Sequence, residues 1–149
     1  MRKLVSLILV LSMALCFIGC SKKSETIFVA NKDGIEEKIT LYAKGDIIER
    51  IVTTSTISLE GYPEELITQL EIKAATQEIK FNAIKGVTYY TQKTDNTYTV
   101  TFDLDVSNED NLQAITDSQL IAAKKEGKYL SYKETKKGFE SMGYTEIKE

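Results

Sequence analysis

Five apolar side chains occupy alternate positions from Tyr98 to Val106, and threonine or aspartate fills the positions between them. Successive side chains of a β-strand point to opposite faces of the sheet, so this period of two predicts a strand with one apolar and one polar face. Residues 38–43 alternate in the same way, and residues 47–59 are rich in Ile, Val and Thr, which favour strands. The chain therefore has to fold around a sheet that has one mostly apolar face.

Turn residues divide these segments into hairpins. The pair Asp33-Gly34 follows a short apolar run at residues 27–29, and both residues tolerate the positive φ that tight hairpins require. Residues 94–96 separate a strand at residues 87–93 from the strand at residues 97–106. The segment 47–59 is long for one strand, so we expect a bulge near residues 53–56.

A helical pattern follows Gly61, where Pro63 and two glutamates suit a first helical turn and Gly86 suits the end. Capping-box spacings from Ser107 to Asp110 and from Ser131 to Glu134 predict two shorter helices, and residues 144–147 predict an edge strand. The fold class is α+β, with an antiparallel sheet of about five strands packed by one long helix and short C-terminal helices. The apolar residues predicted to dock these helices are Leu66, Ile67, Leu70, Ala74, Phe81, Ile84, Leu112, Ile115, Leu120, Ile121, Phe139 and Met142.

Composition excludes several classes of function. The 149 residues carry a net charge of −3, which is far from the basic balance of a nucleic-acid-binding domain. The chain has no histidine, which removes serine-histidine and cysteine-histidine catalysis and nearly every kind of zinc site.

The N-terminus has the parts of a secretory signal. Arg2 and Lys3 precede an uncharged apolar run at residues 4–18, which falls short of the roughly 20 residues that a permanent membrane helix needs. The sequence Phe17-Ile18-Gly19-Cys20 resembles the lipobox of bacterial lipoproteins. By that resemblance, residues 1–19 are a signal peptide, residues 20–25 are a lipidated cysteine and its tether, and residues 26–149 form a single domain. An ordinary signal peptide and a retained membrane helix are the alternatives.

The mature chain as a whole resembles the YehR-like lipoprotein family, a bacterial group classed as domain of unknown function 1307. The features that carry the resemblance are the lipobox, the strand and turn at residues 39–46, the segment at residues 84–87, and a closing lysine-rich region that contains Gly143-Tyr144. The resemblance implies a membrane-tethered α+β domain and transfers no catalytic residue.

Four groups of residues suggest a site, and each also has a simpler structural explanation. Oxygen-bearing side chains at Asp103, Asp105, Ser107, Glu109 and Asn111 suggest a calcium loop, but Asn108 and Ala114 stand where such a loop has glycine and glutamate. We therefore expect a strand edge and a helix cap there, and no metal site. The acid pairs Glu64 with Glu65 and Asp103 with Asp105 suggest the two carboxyls of a glycoside hydrolase, but acids at such spacings are common on exposed faces.

Tyrosines and lysines form the other two groups. Tyr89, Tyr90 and Tyr98 lie on a predicted hairpin, where Tyr89 and Tyr90 point to opposite faces and packing is the expected role for most of them. A C-terminal series of lysines suits either solvated helix faces or a contact with an anionic membrane. These lysines are Lys124, Lys125, Lys128, Lys133, Lys136 and Lys137.

These observations predict a lipoprotein on the extracytoplasmic face of a bacterial cell membrane, with Cys20 as its lipidation site. We expect a non-enzymatic module that needs no cofactor and binds an unidentified envelope protein or small ligand, with no nucleic-acid partner. A carboxylate-dependent envelope hydrolase is the alternative, and a third possibility is that the released signal segment acts as a signalling peptide.

Overall fold

A computed structural model describes residues 22–121 and 128–147 of the chain. The signal segment, the lipobox with Cys20, and the lysines at positions 124 and 125 lie outside the described residues.

The architecture is α+β, as predicted, and its sheet is antiparallel throughout. The spatial order of the strands is β4-β5-β3-β2-β1-β7, and β6 pairs with the start of β3. The seven described strands are β1 (Lys23–Lys32), β2 (Ile35–Lys44), β3 (Ile47–Ser58), β4 (Val87–Lys93), β5 (Thr97–Asp105), β6 (Leu130–Ser131) and β7 (Thr145–Ile147).

The sheet is wider than the predicted count of about five strands. Five long strands were expected from alternation, and residues 144–147 were expected to add an edge strand, which is β7. The unpredicted strand is β6, whose two residues pair with Ile47 and Ile48. Two residues are too few to show a period, so only the pairing in three dimensions defines this strand.

The tight turn between β1 and β2 confirms the Asp33-Gly34 prediction, since these residues have φ values of 53° and 80°. The expected bulge at residues 53–56 is wrong. There β3 is bonded to β2 on one side and to β5 on the other, so an extra residue would disturb two ladders at once.

The bulge lies instead at Glu49. Tyr42 pairs with Arg50 and Ala43 pairs with Ile48, which leaves Glu49 as the extra residue on β3. Ile48 and Ile51 are both buried, although side chains three positions apart point to opposite faces of a regular strand. The extra residue corrects this mismatch and turns both isoleucines into the core.

Three helices are described: α1 (Glu64–Asn82), α2 (Glu109–Asp117) and α3 (Tyr132–Ser141). The Ser131 side chain accepts a hydrogen bond from the N–H of Glu134, as its capping-box spacing predicts. The first short helix is capped one residue later than predicted, because Asn108 accepts from the N–H of Asn111 while Ser107 bonds to Asp105.

All three helices pack against the apolar face of the sheet. The core joins strand residues such as Phe28, Leu41 and Leu104 to Leu112 and Ile115 of α2. Most of the predicted docking residues lie in or against this core, but Leu66, in the first turn of α1, and Met142, just after α3, are exposed.

Asp46 fixes the start of α3 to the turn between β2 and β3. Its carboxylate accepts from the backbone N–H of Lys133 at 2.8 Å and from the Ser131 hydroxyl at 2.9 Å. These hydrogen bonds to the charged form lower the pKa of Asp46 below its ordinary value. The backbone oxygen of Asp46 also accepts from the N–H of Tyr132 at 2.8 Å, so the turn and the helix form one unit.

The opposite face of the sheet is not packed against any described helix. We call it the uncovered face, and the side chains of Tyr42, Arg50, Thr54, Tyr90 and Asp103 lie on it, as the strand registers show. The domain therefore has two layers, with its core on one side of the sheet only.

Gly86 allows α1 to connect to β4 at close quarters with α2. Its φ is +81°, and a Cβ there would lie 2.8 Å from both the Asn111 Cβ and the Asp105 backbone oxygen. Gly61 has a similar φ of +79°, but a Cβ added there would have nothing within 4 Å.

We expect Gly61→Ala to lower the free energy of unfolding by about 1–2 kcal/mol, which is the cost of the left-handed backbone conformation. Gly86→Ala should lose this amount and, because its Cβ would clash with Asn111 and Asp105, a further 1–3 kcal/mol, roughly, for overpacking. Urea denaturation of both variants checks this, and equal losses would contradict the close contact at Gly86.

Tyr144 links the segment before β7 to β2, because its hydroxyl donates a hydrogen bond to the Glu37 carboxylate. Partial burial and this bond raise the pKa of Tyr144 to about 12 from an ordinary value of 10.0. Between pH 10 and pH 12 the Tyr144 hydroxyl loses its proton in the unfolded chain and keeps it in the folded chain, so the contribution of Tyr144 to the free energy of unfolding falls as pH rises.

We expect Tyr144→Phe to be less stable than the wild type at pH 8, with a difference that narrows above pH 10. Urea denaturation across this range measures it, and a difference independent of pH would contradict the assignment.

Candidate functional site

The uncovered face has a threonine-rich centre. Thr40, Thr54, Thr56, Thr99 and Thr101 lie on it across three neighbouring strands, and the Thr56 and Thr99 hydroxyls are 3.1 Å apart. Threonine suits this position because its branched side chain favours a strand while its hydroxyl remains compatible with water. Thr40 and Thr101 are buried, at 7% and 4% exposure, whereas Thr54, Thr56 and Thr99 are half-buried, so the hydroxyls that a partner could reach belong to these last three.

An ion pair between Arg50 and Asp103 lies at one side of this centre, and the next strand on each side carries a tyrosine, Tyr42 on β2 and Tyr90 on β4. The Arg50 Nε donates to the Asp103 carboxylate at 2.7 Å, and the second arm of the guanidinium binds the other carboxylate oxygen. The guanidinium carbon is 5.2 Å from the centroid of the Tyr42 ring, a cation–π distance. Asp103 raises the pKa of Arg50, so the guanidinium is charged at any pH at which the protein folds. We call Tyr42, Arg50, Asp103 and Tyr90 the arginine cluster.

The arginine cluster can still bind a partner. Arginine has five N–H donors, and the bidentate bond to Asp103 uses two of them. The Arg50 side chain is about half exposed, at 49%. Tyrosine and arginine are the residue types that most often carry binding energy at protein interfaces.

A shallow depression of about 590 Å³ lies on the same side of the sheet, toward β7. Its lining includes Val29, Asn31, Lys38, Thr54 and Thr145. The depression is open to solvent along its length, so it offers a surface for contact rather than an enclosed chamber.

The three predicted tyrosines divide between the two faces, as their spacing indicates. Tyr89 and Tyr98 are 2% and 5% exposed and pack on the core side, where Tyr89 contacts the rings of Phe81 and Phe102. Tyr90 is 47% exposed on the uncovered face. Packing is thus the role of two of them, and one belongs to the arginine cluster.

The acidic side chains of the suspected calcium loop bind different partners and do not converge on one point. Asp105 accepts bonds from the N–H and hydroxyl of Ser107 and from the Asn111 amide, and the Ser107 bonds lower the pKa of Asp105. Asp103 binds Arg50, and Glu109 lies 3.4 Å from Lys128. Within residues 22–121 and 128–147, no group of three or more metal-ligating side chains is placed to hold an ion.

The two acid pairs differ in their surroundings. Glu64 and Glu65 are exposed in the first turn of α1. Asp103 and Asp105 share the polar face of β5, but each is already hydrogen-bonded to a neighbouring side chain. Both aspartates therefore hold neighbouring side chains in place, Arg50 in one case and Ser107 and Asn111 in the other.

The four C-terminal lysines that the structure describes lie in two separate places. Lys136 binds Glu146 and Lys137 lies 3.6 Å from Glu134, so both take part in ion pairs on or beside α3. Lys128 and Lys133 lie instead beside β6, at the end of the sheet where β1 begins. No described helix is long and apolar enough to span a membrane.

Sequence reasoning did not identify Arg50 or Tyr42 as site residues. Each is separated from Asp103 by more than 50 residues, and only the register of β2, β3 and β5 brings them together. An arginine inside an Ile- and Val-rich strand was the available signal, since a charge in such a segment has to face solvent or a partner.

The chain forms a two-layer α+β domain in which the described helices cover one face of the sheet and leave the other uncovered. A family model described as a protein of unknown function, DUF1307, matches residues 24–145. The chain therefore belongs to the DUF1307 family, which confirms the resemblance found in the sequence.

Similar proteins come from several bacteria. The uncharacterized lipoprotein Lmo0207 of Listeria monocytogenes is 26% identical over 153 residues, covering 99% of this chain and 97% of that protein. The solution structure of the E. coli YehR protein has a TM-score of 0.63 at 22% identity, covering 86% of this chain and 93% of that chain. A Streptococcus pneumoniae protein has a TM-score of 0.58 at 12% identity, covering 85% and 86%. The two structural likenesses concern the fold.

Proposed function

We propose that this chain is a bacterial cell-envelope lipoprotein, anchored through a lipidated Cys20 on the extracytoplasmic face of the membrane. The apolar run at residues 4–18 and the cysteine that follows Gly19 support the anchor. A relative that matches over nearly the whole chain carries the name lipoprotein. Stable attachment needs more than one acyl chain, which a diacylglycerol on cysteine supplies.

The function that the geometry supports best is binding, and the uncovered face is the binding surface in this proposal. The single observation that carries it is the arginine cluster on a sheet face that no described helix covers. The Arg50–Asp103 ion pair has the Tyr42 ring at a cation–π distance, and Tyr90 lies on the next strand beyond Asp103. Because the helices pack on one face of the sheet only, the uncovered face has to be compatible with water, and threonine alone would satisfy that need. Two tyrosines and an arginine add the residue types that bind partners.

A protein is the favoured partner. Small-molecule sites are concave and bury most of the ligand, whereas the depression on the uncovered face is open. Exposed aromatic and arginine side chains on a broad face are typical of the centre of a protein interface. A small envelope ligand is the other outcome that the binding experiment below distinguishes. The carboxylate hydrolase has less support, since Asp103 and Asp105 are both held by internal donors and Glu64 and Glu65 are exposed in the first turn of α1.

The anchor predicts a clear difference between the two cysteines. We expect Cys20→Ala to lose acyl labelling and to leave the membrane fraction, because it removes the acylated sulfur. Cys16→Ala, a change inside the signal segment, should keep both the label and the location. Metabolic labelling with a fatty-acid analogue and cell fractionation measure this. An unchanged membrane fraction with retained label in Cys20→Ala would rule the anchor out.

The binding surface predicts where a partner can be captured in living cells. A photo-reactive amino acid at position 90, on the uncovered face, should give a discrete cross-linked product. The same probe in place of Gln69, which is exposed on α1 on the other side of the domain, should not. Adding Arg50→Ala to the position-90 probe should weaken the product about tenfold or more if the arginine contributes a typical hot-spot energy.

The mass of the cross-linked product separates the two classes of partner. A shift the size of a polypeptide on gels identifies a protein, and a shift visible only by mass spectrometry identifies a small ligand. Equal products from positions 69 and 90, or none from position 90, would contradict the assignment of the uncovered face.

A further inference from the structure

Only two residues, Ser21 and Lys22, separate the proposed lipid anchor at Cys20 from the first strand of the sheet. β1 begins at Lys23, three residues after Cys20, and Lys23 is already paired with Lys44 of β2. A fully extended chain spans at most about 3.6 Å per residue, so the Cα atoms of Cys20 and Lys23 lie within about 11 Å of each other. The end of the sheet where β1 starts must therefore lie next to the membrane.

Five lysines are exposed at this end of the sheet. β2 ends and β3 begins there, and β6 pairs with the first residues of β3. Lys133 is fixed at the same place, because its backbone N–H donates to Asp46 in the turn between β2 and β3. The set, which we call the anchor-end surface, consists of Lys22, Lys23, Lys44, Lys128 and Lys133.

The acids near the anchor-end surface do not cancel its charge. Glu49 lies 3.9 Å from Lys23, and Glu109 lies 3.4 Å from Lys128. The Asp46 carboxylate is directed at the first turn of α3, where it accepts two hydrogen bonds. Glu134, next to Lys133, lies 3.6 Å from Lys137. Lys22, Lys44 and Lys133 form no ion pair with a described acid, so this end exposes unpaired positive charge although the chain as a whole carries −3.

Two apolar side chains accompany the lysines. Ile47, at the start of β3, is 42% exposed, and Tyr129, which precedes β6, is 47% exposed. Tyrosine is enriched at membrane interfaces, because its ring is apolar and its hydroxyl is polar. The surface therefore combines the two features of a protein face that rests on lipid headgroups.

We propose that the anchor-end surface binds the anionic phospholipid headgroups of the membrane that holds Cys20. This inference rests on the proposed anchor. Headgroup contact at β6 and at the ends of β1 and β2 sets the orientation of the domain. The strands rise away from the bilayer, the Asp33-Gly34 turn is at the far end, and the uncovered face stands upright and accessible from the side.

The test uses the full mature lipoprotein, purified from membranes and reconstituted into two kinds of vesicle. One is made of phosphatidylcholine alone, and the other contains phosphatidylglycerol as well. Lysines are labelled with a water-soluble amine reagent and quantified by mass spectrometry. We expect labelling of Lys44 and Lys133 to fall about fivefold on anionic vesicles, as each lysine near such a surface is attracted to it. Lys38, on the uncovered face, and Lys73, on α1, are exposed controls in the same molecule and should not change.

A matched pair of variants makes the result specific. Lys44→Glu with Lys133→Glu should abolish the protection of Lys23 and Lys128 on anionic vesicles, while Lys38→Glu with Lys73→Glu, the same change of charge elsewhere, should preserve it. High salt should also remove the protection, since it screens charges at the surface. Protein that floats with both kinds of vesicle but shows equal labelling overturns this inference and leaves the anchor intact. Protein that floats with neither overturns the anchor, and this inference with it.

Discussion

The fold depends on β3, the one described strand that is bonded to three others. It pairs with β2 along one edge and with β5 and then β6 along the other. Without it, the two hairpins of the domain would share no hydrogen bonds. The same strand supplies the core residues Ile48 and Ile51 and the surface residue Arg50. Because a slip by one residue would exchange the two faces of a strand, burial of the isoleucines also fixes the guanidinium on the uncovered face.

Regular alternation made most of the sheet predictable. The strand at residues 97–106 was clear because a period of two needs only local sequence to be recognised, and the Asp33-Gly34 turn was clear because few residue pairs tolerate its backbone angles. The bulge was misplaced because length alone was used to locate it. Ile48 and Ile51 break the alternation by one position, and that break marks where the extra residue lies.

Little of the candidate site was accessible from the sequence. Tyr90 could be placed opposite Tyr89 by local alternation, but its association with Arg50, Tyr42 and Asp103 requires the register of four strands. The acids at positions 103 and 105 suggested metal ligation because the sequence does not reveal their partners, which are an arginine on β3 and an asparagine on α2. Cys20 is the opposite case, since the evidence for it is entirely local.

The pairing of β7 with β1 brings together the first and last described strands of the chain. A contact of such long sequence separation costs loop-closure entropy before it stabilises the domain. During folding, β1 has no partner on its outer edge until the C-terminal segment that forms β7 is in place. That edge is a transient liability, because an unpaired strand edge can pair with another chain. Closure of this edge by β7, reinforced by the Tyr144–Glu37 bond, marks completion of the domain.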